Sequence, residues 1–156
     1  MRALASLKWT MAAVMITVAG LLCASSASAT TVERDQAGLS VKAAGEDNWY
    51  KIDHIPRHPT YCPRSPRGCF TVNDYNPNPM VDGRGCFIAS PTPAIIRCKD
   101  PGGRVPITVK AGDLNDTIVG LDASEPRPDK IFGRIFLGSG NDGGHGGPGD
   151  DRIYGG

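Results

Sequence analysis

The sequence predicts an all-β protein in which short strands and Pro-rich loops, tied by disulfides, lead into a repetitive, solenoid-like C-terminus. Three observations carry that expectation. β-Branched and aromatic residues occur in short runs bounded by Gly, Pro, Asn or Asp, the pattern of strands interrupted by turns. No stretch after residue 29 sustains a 3.6-residue apolar period, and 13 prolines, many in residues 56–106, oppose helix. Residues 138–156 (GSGNDGGHGGPGDDRIYGG) hold nine glycines in nineteen positions, with aspartates at regular offsets.

The chain opens on a targeting segment. Arg2 and Lys8 form a basic start, residues 9–24 are apolar, and Ala27-Ser28-Ala29 is a small-residue cleavage site. The mature chain then starts at Thr30 and has 127 residues, enough for one domain or one elongated solenoid. No stop-transfer segment follows, so a secreted protein without a membrane span is expected. Cys23 follows Leu22, whereas lipid attachment needs a small residue there. Three regions result: a signal segment (1–29), a short-strand, disulfide-bearing region (30–110) and a repeat region (111–156).

Within residues 30–110, strands are predicted at residues 31–33 (TVE), 39–42 (LSVK), 49–52 (WYKI), 69–72 (CFTV), 87–89 (FIA), 94–97 (AIIR) and 105–109 (VPITV). Residues 57–68 and 73–85 read as loops, and few strands longer than five residues are expected. Four cysteines remain after cleavage: Cys62, Cys69, Cys86 and Cys98. An even number in a secreted chain points to disulfides. Three pairings are possible; Cys62–Cys69 and Cys86–Cys98 are favoured because each closes a short Pro- or Gly-containing loop.

Net charge is +1, unevenly spread: residues 30–110 carry 11 basic against 8 acidic side chains, and residues 111–156 carry 4 against 8. The basic excess forms no patch interleaved with aromatics, so a nucleic-acid partner is not expected. The acidic half coincides with the repeats, as a cation site requires.

The repeats themselves are graded. Gly146-Gly147-Pro148-Gly149-Asp150-Asp151-Arg152-Ile153-Tyr154 fits the nonapeptide G-G-x-G-x-D-x-U-x at every fixed position, U being a large apolar residue. Glycine permits the tight turn with φ > 0, the sixth-position Asp offers a hard carboxylate oxygen to Ca²⁺, and the last three residues form a strand whose middle side chain faces a core. Residues 137–145 keep Gly138, Gly140 and Asp142, with Gly144 at the apolar position. Residues 111–119 keep Gly112, Asp116 and Ile118. Residues 124–132 keep only Asp129 and Ile131. Asp-x-Ile-x-Gly recurs at Asp116, Asp129 and Asp151, with Asp142 a defective fourth.

This pattern strongly resembles the calcium-binding nonapeptide of repeats-in-toxin (RTX), or hemolysin-type, proteins. The opening T-V-x-x-x-x-x-G-L-x-V-x-A-A-G-E-x-N (Thr31 to Asn48), the Cys86/Cys98 pair and the run from Val109 to Ile118 are similar to small secreted bacterial calcium-binding proteins, so the likeness covers most of the mature chain. The resemblance implies a parallel β-roll or β-helix, Ca²⁺ as ligand and no reaction. It implies metal contacts at Gly138, Gly140, Asp142, Gly147, Gly149, Asp151, Asp116 and Asp129. It also implies that residues 138–142 stack on 112–116, and residues 146–151 on 124–129. Leu114 and the run Glu125-Pro126-Arg127-Pro128 depart from the motif, so weak calcium binding is expected, on the order of 10⁻⁴–10⁻³ M as in extracellular modules, or tighter binding only where further repeats or another molecule complete the site. The N-terminal signal segment also departs from the usual C-terminal export signal of RTX proteins.

No enzyme is expected. His54 and His58 are four apart, but Pro56 and Pro59 oppose the helix that would place both on one face and no H-E-x-x-H pattern is present, and Gly138-Ser139-Gly140 lacks a strand–elbow–helix context. Trp49, Tyr50, Tyr61 and Tyr75 are available to line a glycan site, although strand packing is the default role. The rival functions are a cell-wall or surface adhesion module and a hydrolase with an RTX accessory tail.

Overall fold

A computed structural model describes residues 29–63, 65–76, 79–103, 105–120 and 131–156. The proposed signal segment up to residue 28, and Asp129, lie outside the described residues. Twelve strands and no helix are present among them: β1 (Thr30–Asp35), β2 (Gly38–Lys42), β3 (Trp49–Ile55), β4 (Cys69–Asp74), β5 (Met80–Asp82), β6 (Cys86–Pro91), β7 (Ala94–Lys99), β8 (Val105–Lys110), β9 (Thr117–Val119), β10 (Ile131–Phe136), β11 (Gly143–His145) and β12 (Arg152–Tyr154). The all-β expectation holds, and each of the seven strands predicted before residue 110 is present.

Two expectations are corrected. Seven of the strands are six or seven residues long, because antiparallel neighbours such as β3 and β4 stay paired from Tyr50↔Asp74 to Ile55↔Cys69. Residues 73–85 are not wholly loop: β4 runs on to Asp74, and β5 pairs parallel with β1.

The strands form two six-stranded sheets, ordered β12-β10-β8-β2-β1-β5 and β11-β9-β3-β4-β7-β6. Each sheet has two characters. β3, β4, β7 and β6 form an antiparallel meander, with Cys86 opposite Cys98. On the other side, β2, β8, β10 and β12 are parallel, as are β3, β9 and β11. From β8 to β12, successive strands alternate between the sheets.

One buried cluster joins the two sheets and draws on residues either side of position 110, including Val41, Tyr50, Phe70, Val72, Ile96, Val109, Ile118 and Ile135. The strand alternation puts these side chains on the inner faces. Disulfides Cys62–Cys69 and Cys86–Cys98 close loops of sequence separation 7 and 12, matching the pairing favoured from loop length.

Candidate metal centre

Parallel register builds the site. Because Trp49, Thr117 and Gly143 are level across β3, β9 and β11, the six-residue turns that precede them are stacked. These are residues 43–48, 111–116 and 137–142, the last two belonging to the repeats. The main chain ties them together: Ala43 N–H donates to Lys110 O (2.8 Å), Ala111 N–H to Phe136 O (2.9 Å), Thr117 N–H to Asn48 O (2.7 Å), Ser139 N–H to Gly112 O (3.1 Å) and Gly143 N–H to Asp116 O (2.8 Å).

Side chains add two ladders of opposite direction. Asp116 Oδ1 accepts from Asn48 N–H, and Asp142 Oδ1 from Asp116 N–H, both at 2.9 Å. Running the other way, Asp47 Oδ1 accepts from Asn115 N–H and Asn115 Oδ1 from Asn141 N–H, again at 2.9 Å. Ser139 Oγ donates to Asp113 Oδ1 at 2.7 Å. The repeat's sixth residue thus holds the amide of its counterpart one level away.

Backbone conformation explains the glycines. Positive φ occurs at Gly112 and Leu114, at Gly138 and Gly140, and at Gly147 and Gly149. A Cβ on Gly138 would stand 1.8 Å from Gly112 O, and one on Gly140 1.7 Å from Leu114 O. Only glycine lets the carbonyls of one turn lie so close over the next. Leu114 adopts φ 77° where the following turn has Gly140, a conformation that costs a side-chain-bearing residue about 1–2 kcal/mol.

Asp116 is 1 % exposed, and its Oδ2 is buried without a hydrogen-bond partner. Burial raises its pKa; the bonds from Asn48 lower it, and the charges of Asp142 and Asp47 raise it again. Among the described residues no Lys or Arg forms an ion pair with Asp116, Asp142 or Asp151. A carboxylate so placed lacks the positive partner that buried charge ordinarily has.

The fourth turn, residues 146–151, lies in the second column. Asp151 Oδ1 accepts from Gly133 N–H at 2.5 Å, and its Oδ2 is buried and unpartnered. Burial raises its pKa, the Gly133 bond lowers it, Asp150 raises it and His145 lowers it. The pairing Arg134↔Arg152 puts Asp151 level with Gly133, not with Asp129. In phase with the strands, Gly133, Asp142 and Asp151 recur every nine residues. A Cβ at Gly133 would come within 2.9 Å of Asp151 Oδ1, so glycine there lets the carboxylate reach the main chain.

Residues 43–48 are the part of the stack that sequence reading missed. The signal was present: AAGEDNWYK aligns with AGDLNDTIV and LGSGNDGGH through Asn48/Asp116/Asp142 at the sixth place and Asp47/Asn115/Asn141 at the fifth. Elsewhere, His54 Nε2 lies 3.2 Å from Asp100 Oδ2, while His58 Nδ1 accepts from the N–H groups of Thr60 and Tyr61, so the two histidines serve separate local structures. Among the described residues no group of three or more His, Cys, Asp or Glu side chains is arranged to hold a metal ion. Any cation at the stacked turns must therefore rely on main-chain carbonyls beside the carboxylates. No helix among the described residues is long and apolar enough to cross a membrane.

No protein-family model, curated protein or solved structure matches the chain.

Proposed function

We propose that this is a secreted calcium-binding protein whose parallel half is a short β-roll of the RTX type, ordered by Ca²⁺. The observation that carries the reading is Asp116: a carboxyl group that is buried, with one oxygen unpartnered and Asp142 as its nearest counterpart in the stack. Ca²⁺ takes six to eight oxygens from carboxylates, carbonyls and water. Between the turns at residues 111–116 and 137–142, Asp116, Asp142 and the carbonyls of Gly112 and Leu114 are the donors of that type. Asp151 offers one further carboxylate beside Gly133, and Gly138, Gly140, Gly147 and Gly149 shape the turns that present the carbonyls. The alternation of β8 to β12 between two parallel arrays supports a roll. The disulfides are compatible with an oxidising, extracellular location.

Because Gly133 rather than an aspartate stands level with Asp151, the second column supplies fewer oxygens than the first. The first column is thus the stronger seat, and affinity stays near 10⁻⁴–10⁻³ M, as in extracellular modules. Calorimetric titration of Ca²⁺ into mature protein, with circular dichroism of the same samples, tests this. Binding with a gain of β-structure is expected. Absence of heat and of spectral change at millimolar Ca²⁺ would overturn the reading.

One observation favours adhesion as a second reading. Trp49 and Tyr75 are each about half exposed, with ring centroids 5.0 Å apart, a surface suited to stacking on a sugar ring. Retention on cell-wall polysaccharide that is lost in Trp49→Ala would support it; equal retention of the variant would remove it.

A further inference from the structure

Asn48 stands at the sixth place of the uppermost turn, where the two turns beneath carry Asp116 and Asp142. It is 1 % exposed. Its Nδ2 donates to Asp116 Oδ1 at 2.9 Å, to Ala44 O at 3.4 Å and, more closely, to Glu46 O. Its Oδ1 accepts from Tyr50 Oη at 2.7 Å, and Tyr50 Oη in turn meets Thr30 Oγ1 at 2.5 Å. The amide nitrogen, the positive end of the side chain, is thus enclosed by two main-chain carbonyls and a carboxylate. Those are the ligand types that a calcium ion gathers.

One level down the same geometry repeats with a different group. Gly112 O and Leu114 O correspond in register to Ala44 O and Glu46 O, and Asp142 corresponds to Asp116. The first correspondence agrees with the stacking: a Cβ added to Gly112 would come nearest to Ala44 O, as one added to Gly138 would to Gly112 O. The side chain at the centre of the lower level is Asp116, which has no hydrogen to donate and whose Oδ2 has no partner. The upper level is closed from within; the lower one calls for positive charge from outside.

We infer that the Asn48 amide takes the place of a calcium ion, so that the column of cation seats starts immediately below it. This rests on the proposed calcium binding of the turns beneath. The consequence is that residues 43–48 and 111–116 are joined without metal, giving the repeats a preformed first level on which to order. Thr30, Tyr50 and Asn48 act as positioning residues: the hydroxyl relay fixes the amide with its nitrogen toward Asp116 rather than away from it.

Asn48→Asp removes the donor and surrounds the same point with oxygens alone. The variant is expected to bind one more Ca²⁺ than the wild-type protein by calorimetry, and to lose stability in EGTA but recover it in Ca²⁺. Terbium, used as a luminescent substitute for Ca²⁺, is expected to show stronger emission on aromatic excitation in the variant, since Tyr50 would adjoin the new ion. A variant that is unfolded in EGTA and folds on adding Ca²⁺ supports the inference equally. Unchanged stoichiometry together with unchanged terbium emission would overturn it while leaving wild-type calcium binding intact. A variant that stays unfolded with and without Ca²⁺ would overturn it too. If the wild-type protein binds no Ca²⁺, the reading beneath fails and the column of seats below Asn48 fails with it; one ion gained by Asn48→Asp would then uphold only the replacement of a cation by the amide, and none would sink both. Asn48→Ala separates a purely structural loss, since it is expected to be destabilised without being rescued by Ca²⁺ beyond the wild-type response.

Discussion

The antiparallel meander and the parallel stack share one core but are held by different forces. In the meander, Phe70, Val72 and Ile96 are buried and two disulfides close the loops. In the stack, burial runs out along the sheet: Val41, Val109, Ile135 and Ile153 are level with one another and 0 %, 1 %, 3 % and 44 % exposed. At the same time carboxylates enter the turns, each gripping a main-chain amide. Apolar burial near 25 cal/mol per Å² sustains the first region whatever the ions present. The second has less of it and holds carboxylates without a cationic partner among the described residues, so on the proposed reading its order is expected to depend on what neutralises them.

The largest effect should come from the covalent side. Replacing Cys86 and Cys98 by Ala removes a closure across paired strands and is expected to cost about 3 kcal/mol in denaturant unfolding. The Ca²⁺ response of the turns should survive in whatever fraction stays folded. Loss of that response with the fold retained would break the comparison, because the two regions would then be one cooperative device.

Next is Asp74, which lies at the seam. It ends β4, and its Oδ1 accepts from Asn76 N–H at 3.0 Å and Trp49 N–H at 3.5 Å, while Oδ2 is buried without a partner. Burial raises its pKa from 3.8 to about 6, the two amide bonds opposing and the charges of Glu46 and Asp116 adding. The folded pKa is above the unfolded one, so the folded state holds the proton more tightly. Asp74 therefore imposes no penalty below about pH 4; stability falls as pH rises through about 6, and the full penalty is present at neutral pH. Asp74→Asn keeps the Oδ1 acceptor and is expected to stabilise the protein by about 2 kcal/mol at pH 7, with the advantage vanishing at pH 4. A gain that is the same at both pH values would place its origin outside the carboxyl's ionisation.

Asp116→Asn separates the two regions more finely. Without Ca²⁺ it should be neutral or stabilising by about 1 kcal/mol, since it removes a buried unpaired charge while keeping an oxygen for Asn48. With Ca²⁺ it should lose the binding heat of the first column. Wild-type calcium affinity in this variant would show that the seat does not involve Asp116.

How far this was legible beforehand follows the same division. Strands of the meander and β8 could be read because alternation and turn residues are local signals. β5 was missed because three residues between Pro79 and Gly83 carry too little pattern, and their strand character comes from pairing with β1. The repeats at Asp116, Asp142 and Asp151 were visible as spacing, and the stacking of residues 138–142 on 112–116 was expected correctly; the partner of Asp116 on its other side, Asn48, and that of Asp151, Gly133, were not. Asn48 and Asp116 meet across 68 positions of sequence, and the signal in AAGEDN is confined to Asp47-Asn48, since Ala44 and Glu46 stand where the repeat has its glycines. Phase failed for a related reason: Asp129-x-Ile131-x-Gly133 copies the motif locally, whereas pairing of β10 with β12 sets Ile135, not Ile131, level with Ile153.

The smallest expected effect tests whether the stack tolerates imperfect repeats at little energetic cost. Leu114 has φ 77° and is half exposed, so its side chain contributes little burial while its backbone carries the left-handed penalty. Leu114→Gly relieves about 1 kcal/mol of that strain but gives the unfolded chain more freedom, opposing it by roughly 0.5–1 kcal/mol. The net change in thermal unfolding without Ca²⁺ should thus be a stabilisation no larger than about 0.5 kcal/mol. Because the Leu114 carbonyl is retained and Gly140 already fills the same place one level down, calcium binding should persist and tighten only slightly. A destabilisation beyond about 1 kcal/mol would mean that the Leu114 side chain packs against the turn strongly enough to offset its strain. In that case, apolar contact would hold the stack in a place where the comparison assigns the holding to charge and backbone.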